Sequence, residues 1–499
     1  MSHFDVVIVG AGLSGIGAAV HLQQRCPGKT YAILESRPAL GGTWDLYRYP
    51  GIRSDSDMHT LGFSFKPWLS PKAIAEGPAI LDYVNETADE HGIRPHIRFG
   101  RRLDGASWSS EDARWTLDVA RTDATAEVAA EAGEAADPTT CNFLLMCSGY
   151  YSYDEPYRPR FPGEEDFEGE MFHPQLWPEG LDYRGKRVVV IGSGATAMTL
   201  VPAMADEVEH ITMLQRSPTY VASLPWEDRI ANTLRKFLPE MLAYRITRWK
   251  NVTLQRWLYG RTRTAPEKVK KLLLRQVRKH LGPDYDVEKH FTPSYNPWDQ
   301  RLCLIPDGDL YQAINSGKAS VVTDRIDRIT KGGIRLASGE ELDADIIITA
   351  TGLDLKLLGG AQFRVDGNPV HFAETFTYKG MMYSNVPNLV QTFGYINASW
   401  TLRADLTAEY ACRVLNRMDE LGVRQVTPRL RPEDQGMPAR PWIQDFSSGY
   451  MQRRMHLFPK QGDHAPWLNT QSYAADKKMI RKGPIEDGAL RFEGPARPG

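Results

Sequence analysis

The chain has 499 residues, 42% of them hydrophobic and 24% charged, with 60 Lys/Arg against 62 Asp/Glu and a formal charge of -2. That balance excludes a chain-wide nucleic-acid footprint, and the length suffices for about three domains with a large buried core. Five cysteines, Cys26, Cys141, Cys147, Cys303 and Cys412, make no C-x-x-C and no metal-ligand spacing, which points to a reducing compartment and away from a redox dithiol.

The N-terminus runs straight into an apolar segment, with no basic stretch or cleavage site before it, so no signal peptide is expected. No apolar run reaches the roughly 18 residues a membrane span needs, and a cytoplasmic protein is expected. Residues 4–9 (FDVVIV) predict a buried parallel strand; Gly10 to Gly15 follow, then a helix to about Cys26, stopped by Pro27-Gly28. A strand over Tyr31–Glu35 completes a β-α-β unit. Residues 96–147 predict short antiparallel strands around a polar surface insertion at 121–139. The β-α-β pattern then repeats. A strand over Arg187–Ile191 leads through a Gly-containing turn into a helix that Pro202 should bend, and a strand over His210–Gln215 follows. Residues 228–281 are helical by pattern, with Val269, Leu272, Leu273, Val277 and Leu281 on one face. A last sheet region covers Ile346–Thr349, and the C-terminal third is mixed α/β with a helix near Thr401–Met418.

Gly10-x-Gly12-x-x-Gly15 stands where a dinucleotide fingerprint belongs, after a strand and opening a helix. The first glycine allows the tight turn, the second lets a pyrophosphate approach the backbone, and the third lets helix and strand pack closely. Glu35 falls where an acid accepts hydrogen bonds from a ribose diol. Gly192-x-Gly194-x-x-Ala197 is a second fingerprint, whose following strand ends in Gln215 and Arg216 instead of an acid. A cation there suits a 2′-phosphate and favours NADP, the alternative being that Arg216 is a solvated surface residue. Two such sites imply flavin at the N-terminal one and nicotinamide at the inner one. With no dithiol, the electrons are left to go to a quinone, a protein or dioxygen.

Residues 167–178 read FEGEMFHPQLWP, and Phe167, Gly169, His173, Trp177 and Pro178 resemble the F-x-G-x-x-x-H-x-x-x-W-P fingerprint of type I Baeyer–Villiger monooxygenases. Gly41 to Asp55 (GGTWDLYRYPGIRSD) is similar to that family's G-G-x-W-x-x-x-x-[FY]-P-G-x-x-x-D signature, and the segments 296–304 and 394–402 resemble one mycobacterial branch of it. The resemblance implies an α/β fold of two Rossmann-like dinucleotide-binding domains, for FAD and NADP(H), with an inserted helical subdomain. The FAD domain would take residues 1–150 and 386–499. The NADP domain would take 151–385, with the insertion at about 225–295. It further implies that Ser14, Glu35, Thr43, Trp44, Asp45, Leu46, Asp55 and Leu103 contact FAD. Arg53, Ser54, Asp55, the loop Gly192, Ser193, Gly194, Ala195, Thr196, Ala197 and Met198, and Arg216 with Ser217 would contact NADP. Arg301 would stabilise a flavin C4a-peroxide, with Asp55 orienting it. The implied activity is NADPH- and O2-dependent conversion of ketones to esters or lactones and oxygenation of sulfides and thioamides. Two alternatives stay open: a flavin-containing N/S-oxygenase without Baeyer–Villiger activity, and a membrane-associated flavin/NADPH sensor. A departure from many ketone-oxidising relatives is Gln300, where they carry Lys. His173 would lie on the link between nucleotide domains and position them instead of transferring a proton. Without the resemblance, Asp55 reads equally as a cap for the helix after it.

Near-neutrality is an average over unlike parts. Between Arg229 and Leu281 there are 15 Lys/Arg and two acids, a net +13, which leaves the remainder at -15. The plain reading is a solvated helical subdomain; attraction to NADPH or a peripheral contact with anionic lipid, given Trp249 and Trp257 among the cations, is the alternative.

Overall fold

Strand β1 (Ser2–Val9) buries its last four residues in succession, the pattern of a central parallel strand covered on both faces. The computed structural model describes residues 2–122, 139–444 and 446–494. In it β1 runs through helix α1 (Leu13–Arg25) into a parallel β2 (Tyr31–Leu34). Strand β3 (Ile97–Arg98) extends that edge. β4 (Arg101–Ser109), β5 (Arg114–Arg121) and β6 (Thr139–Met146) form the expected antiparallel ribbon, whose last strand also lies parallel to β1. Residues 123–138 of the expected polar insertion lie outside the described residues.

The second unit is a parallel sheet. It contains β7 (Glu170–Phe172), β8 (Arg187–Ile191), and, beyond α2 (Ala195–Met204) with Pro202 inside it, β9 (His210–Gln215). A helical insert follows: α3 (Arg229–Phe237), α4 (Glu240–Thr264) and α5 (Pro266–Leu281). On α5 the buried face is made by Leu273, Leu274 and Val277, whereas Leu272, expected on that face, is 63% exposed, since Leu273 and Leu274 take the inward-facing positions. β10 (Ala319–Thr323) and β11 (Ile346–Ile348) complete the sheet in the order β10-β9-β8-β11-β7, all parallel.

The chain then returns to the first sheet. β12 (Gln362–Val365) pairs in parallel with β4, β13 (Asn368–Pro369) pairs with β12, and β14 (Leu389–Gln391) lies parallel to β6. The re-entry therefore falls at Gln362, not at 386, because strands of two to four residues carry no readable periodicity. Helix α6 (Trp400–Leu421) buries most of its length against α1, with His21 and Asp405 in contact at 3.1 Å. All five cysteines are free and buried, and no described helix is long and apolar enough to cross a membrane.

Candidate functional site

The β1–α1 turn is held open by what a side chain would meet there. Gly10 has φ +103°, and a Cβ on it would lie 2.6 Å from the Cys147 carbonyl oxygen. A Cβ on Gly15 would lie 1.8 Å from the Gly10 carbonyl oxygen. Gly12 is the N-cap residue of helix α1 and Gly194 that of α2, and neither N-terminus has a side-chain cap. Both therefore present unsatisfied N–H groups and positive dipole to whatever lies before them. At the end of β2, buried Glu35 accepts from the Ala11 N–H at 2.7 Å and the Arg37 N–H at 2.9 Å. Burial pushes its carboxyl above the usual range, and those two donors oppose the shift.

Both fingerprints open into one cavity of about 750 Å³, lined by Gly10, Gly12, Ser14, Glu35 and Thr43 on one side and by Ser193, Gly194, Ala195 and Thr196 on the other. Trp44, Arg53, Ser54, Asp55, Leu103, Gln300 and Arg301 also reach it. Within it the Asp55 carboxylate and the Arg301 guanidinium form an ion pair, with 34% and 36% of their side-chain surface open. Asp55 holds that guanidinium protonated beyond the ordinary arginine range. Tyr150 and Tyr450 flank it, their phenols shifted up chiefly by burial.

Asp55 is free for this pairing because another acid caps the helix after it. Asp57 accepts from the Thr60 N–H at 3.1 Å at the start of the Met58–Leu61 turn. Helix α4 grips both loops that carry the pair. Asn251 Nδ2 and Gln255 Nε2 donate to Asp57 at 2.9 and 2.7 Å, and Arg263 donates to Asp299 at 2.9 Å, two residues before Arg301. Arg248, on the same inner face, donates to the carbonyls of His59, Thr60 and Gly62.

Other expected contacts are spent differently. Asp45 is buried between Arg37 and Arg48 at 2.6 and 2.8 Å and does not line the cavity, so it orients Arg37, which does. Leu46 packs with an aromatic cluster around Tyr151 and Phe393. Arg53 is paired with Asp309 at 2.5 Å and donates to the Met198 carbonyl, so its charge is already partnered. Gly15, Gly192, Ala197 and Met198 sit behind the cavity wall, serving the turn and the helix packing. Arg216 and Ser217 are exposed and lie outside it, past buried Gln215, whose amide is engaged with His290 and Thr323. His173 is buried; its Nδ1 accepts from the Gln175 N–H at 3.1 Å, so Nε2 carries the proton and donates to the Gly352 carbonyl at 3.2 Å. Burial lowers it to about 4. A neutral ring with both nitrogens occupied ties the end of β7 to the segment after β11 and is not a free base.

Sequence reasoning did not single out Ser148, Trp400 or Arg263. Ser148 follows β6 at the carboxyl edge of the first sheet, where α/β sheets bind ligands, and that placement was the available signal. Trp400 donates its Nε1–H to Ser14 Oγ at 2.7 Å.

The residues present fit a dinucleotide. A Cβ on Gly194 would meet nothing within 4 Å and would project into the cradle, and the buried Ser148 Oγ has no hydrogen-bond partner though it borders the same cavity. Two β-α-β cradles facing one cavity define the two-nucleotide oxidoreductase class. The flavin-binding monooxygenase-like family matches residues 73–280, and the NAD(P)-binding Rossmann-like domain matches residues 8–71. The chain is 54% identical over 491 residues to the FAD-containing monooxygenase EthA of Mycobacterium tuberculosis, covering 98% of both chains. It is 47% identical to the probable FAD-binding monooxygenase AlmA of Acinetobacter baylyi, covering 98% of this chain and 96% of that one. In fold it resembles an oxidized steroid monooxygenase bound to NADP, with TM-score 0.76, 21% identity, and coverage of 99% of this chain and 100% of that one. It also resembles an ε-caprolactone-bound cyclohexanone monooxygenase at TM-score 0.72, 21% identity and coverage of 99% and 100%. The chain belongs to the flavin-binding monooxygenase-like family.

Proposed function

We propose that this flavin-binding monooxygenase uses FAD and NADPH to insert one oxygen atom of O2 into ketones, giving esters or lactones, and to oxygenate sulfides and thioamides. The observation that carries the reading is the Asp55–Arg301 pair set in the cavity onto which both cradles open. Bound FAD, reduced by NADPH, supplies the activation of O2. The uncapped starts of α1 and α2 would hold the two pyrophosphates, and Glu35, fixed by Ala11 and Arg37, would offer its remaining lone pairs to a ribose. Arg301 cannot give up its proton beside Asp55, so it acts as a fixed positive charge and stabilises the oxyanion developing on a substrate carbonyl oxygen. Tyr150, Tyr450 and Trp400 exclude water from that region.

Arg301→Ala is the test. NADPH should still bleach the flavin, while ester formation from a simple ketone falls roughly a hundredfold to a thousandfold, the cost of losing one such donor. Ester formation at the parent rate would overturn the assignment.

A further inference from the structure

Helix α4 has two unlike faces. Ala243, Tyr244, Thr247 and Asn251 are buried against the body of the protein, and the opposite side, at helical spacing, carries Leu242, Ile246, Trp249, Arg256 and Trp257. Trp249 is 70% exposed and Trp257 60%, and Phe237 at the end of α3 is 80% exposed. Nine of the fourteen large apolar side chains that stand exposed among the described residues fall between Ile230 and Leu272. A soluble surface rarely gathers so many in one insert.

The excess charge lies in the overlapping stretch Arg229–Leu281. Of its cations, Arg235, Arg248, Lys250, Arg263 and Arg278 are tied to partners, four of them by ion pairs. The other ten, among them Arg245 and Arg256 beside the α4 stripe, have no acidic partner within 4.0 Å among the described residues.

We propose that the outer face of α3 and α4 docks on an anionic lipid bilayer, with Trp249, Trp257 and Phe237 in the interface and the unpaired cations on the headgroups. Charge complementarity selects this occupant. Two copies of the chain meeting through this face would set its unpaired cations, Arg245 and Arg256 among them, against the same cations of the other copy, which opposes association. A nucleic-acid backbone would use the cations but give no place to Leu242, Ile246 and Phe237. Aromatic and aliphatic side chains interleaved with arginine suit a surface that is anionic at its headgroups and apolar just beneath.

The test is co-sedimentation of the flavin-loaded full chain with phosphatidylcholine vesicles, with and without about one-third phosphatidylglycerol. Binding should require the anionic lipid and fall at least tenfold as salt rises from about 0.1 to 1 M, where the Debye length shrinks from about 10 to 3 Å. Arg245→Glu with Arg256→Glu should weaken binding tenfold or more. Trp249→Ser with Trp257→Ser should abolish whatever binding survives high salt. Both double variants should keep the parent flavin content and NADPH oxidation, since these side chains touch neither loop of the site. Equal binding to neutral vesicles, no binding, or indifference to either variant would overturn the proposal. So would a dimer lost in the tryptophan variant, which would assign the face to a second copy, or equally tight binding to a DNA duplex that ignores the tryptophans.

Discussion

Gly194→Ala separates a glycine kept for the ligand from one kept for the fold. Gly194 has φ -81° and ψ -176°, backbone that alanine adopts freely, and its added methyl would meet no atom within 4 Å. The folding cost is then only the weaker N-cap, at most about 1 kcal/mol. In the proposed function the NADPH pyrophosphate lies before the α2 N–H groups, where this methyl would stand. Losing one hydrogen bond to a charged group costs about 1.5–3 kcal/mol, roughly a ten- to hundredfold weaker binding. Gly15→Ala is the counterpart: its methyl would fall 1.8 Å from the Gly10 carbonyl oxygen. Helix and strand would have to part by about 1.5 Å, at an overpacking cost of about 1–3 kcal/mol, and the first cradle would open. The assay is NADPH affinity from the concentration dependence of flavin reduction, read beside urea unfolding of both variants. An NADPH affinity within twofold of the parent in Gly194→Ala would refute the cradle. Destabilisation equal to that of Gly15→Ala would refute the reading of the open space.

His173, lowered to about 4 against roughly 6.5 in the unfolded chain, resists protonation in the native state. Above pH 6.5 both states hold it neutral; between pH 6.5 and 4 the unfolded chain takes up a proton first, and stability falls by up to about 3 kcal/mol. Urea titrations from pH 7.5 to 4.5 should show this slope, reduced in His173→Gln; an unchanged slope would remove the histidine from the account. Arg263→Ala should cost no more than about 1 kcal/mol, because its pair with Asp299 is partly exposed. It should nonetheless lower the fraction of NADPH consumed that ends in oxygenated product, with flavin content unchanged. A parent-like fraction would show that Arg263 does not position the Arg301 loop.

Local order was legible in the residues. The strands Arg187–Ile191 and His210–Gln215 have the ends expected from apolar runs, and both Gly-rich turns open helices as their spacing required. What the sequence did not show is who partners whom across distance. Asp55 and Arg301 lie 246 positions apart, and only the fold, or a resemblance to chains that share it, puts them together. Arg53 looks like a free cation until Asp309, 256 positions away, is placed against it. In the string SDSD the choice of cap between Asp55 and Asp57 depends on which carboxylate reaches the Thr60 N–H, a matter of backbone geometry with no compositional trace.

Helix α4 shows why the insert belongs to the chemistry and not only to the surface. Its 25 residues span about 37 Å at 1.5 Å each, and the contacts to Asp57 and Asp299 lie about 12–18 Å apart along it. A rod held at both points fixes the Asp55 loop relative to the Arg301 loop, although those loops come from the two different nucleotide units. Removing either contact loosens one loop relative to the other, so the pair loses alignment without the fold losing its core. The same rod presents Trp249 and Trp257 outward, so a force on the outer face reaches the Asp55 and Arg301 loops through one rigid element. Variants made on that face must therefore leave Asn251, Gln255 and Arg263 intact, or a loss of lipid binding would be confounded with a loss of the aligned pair.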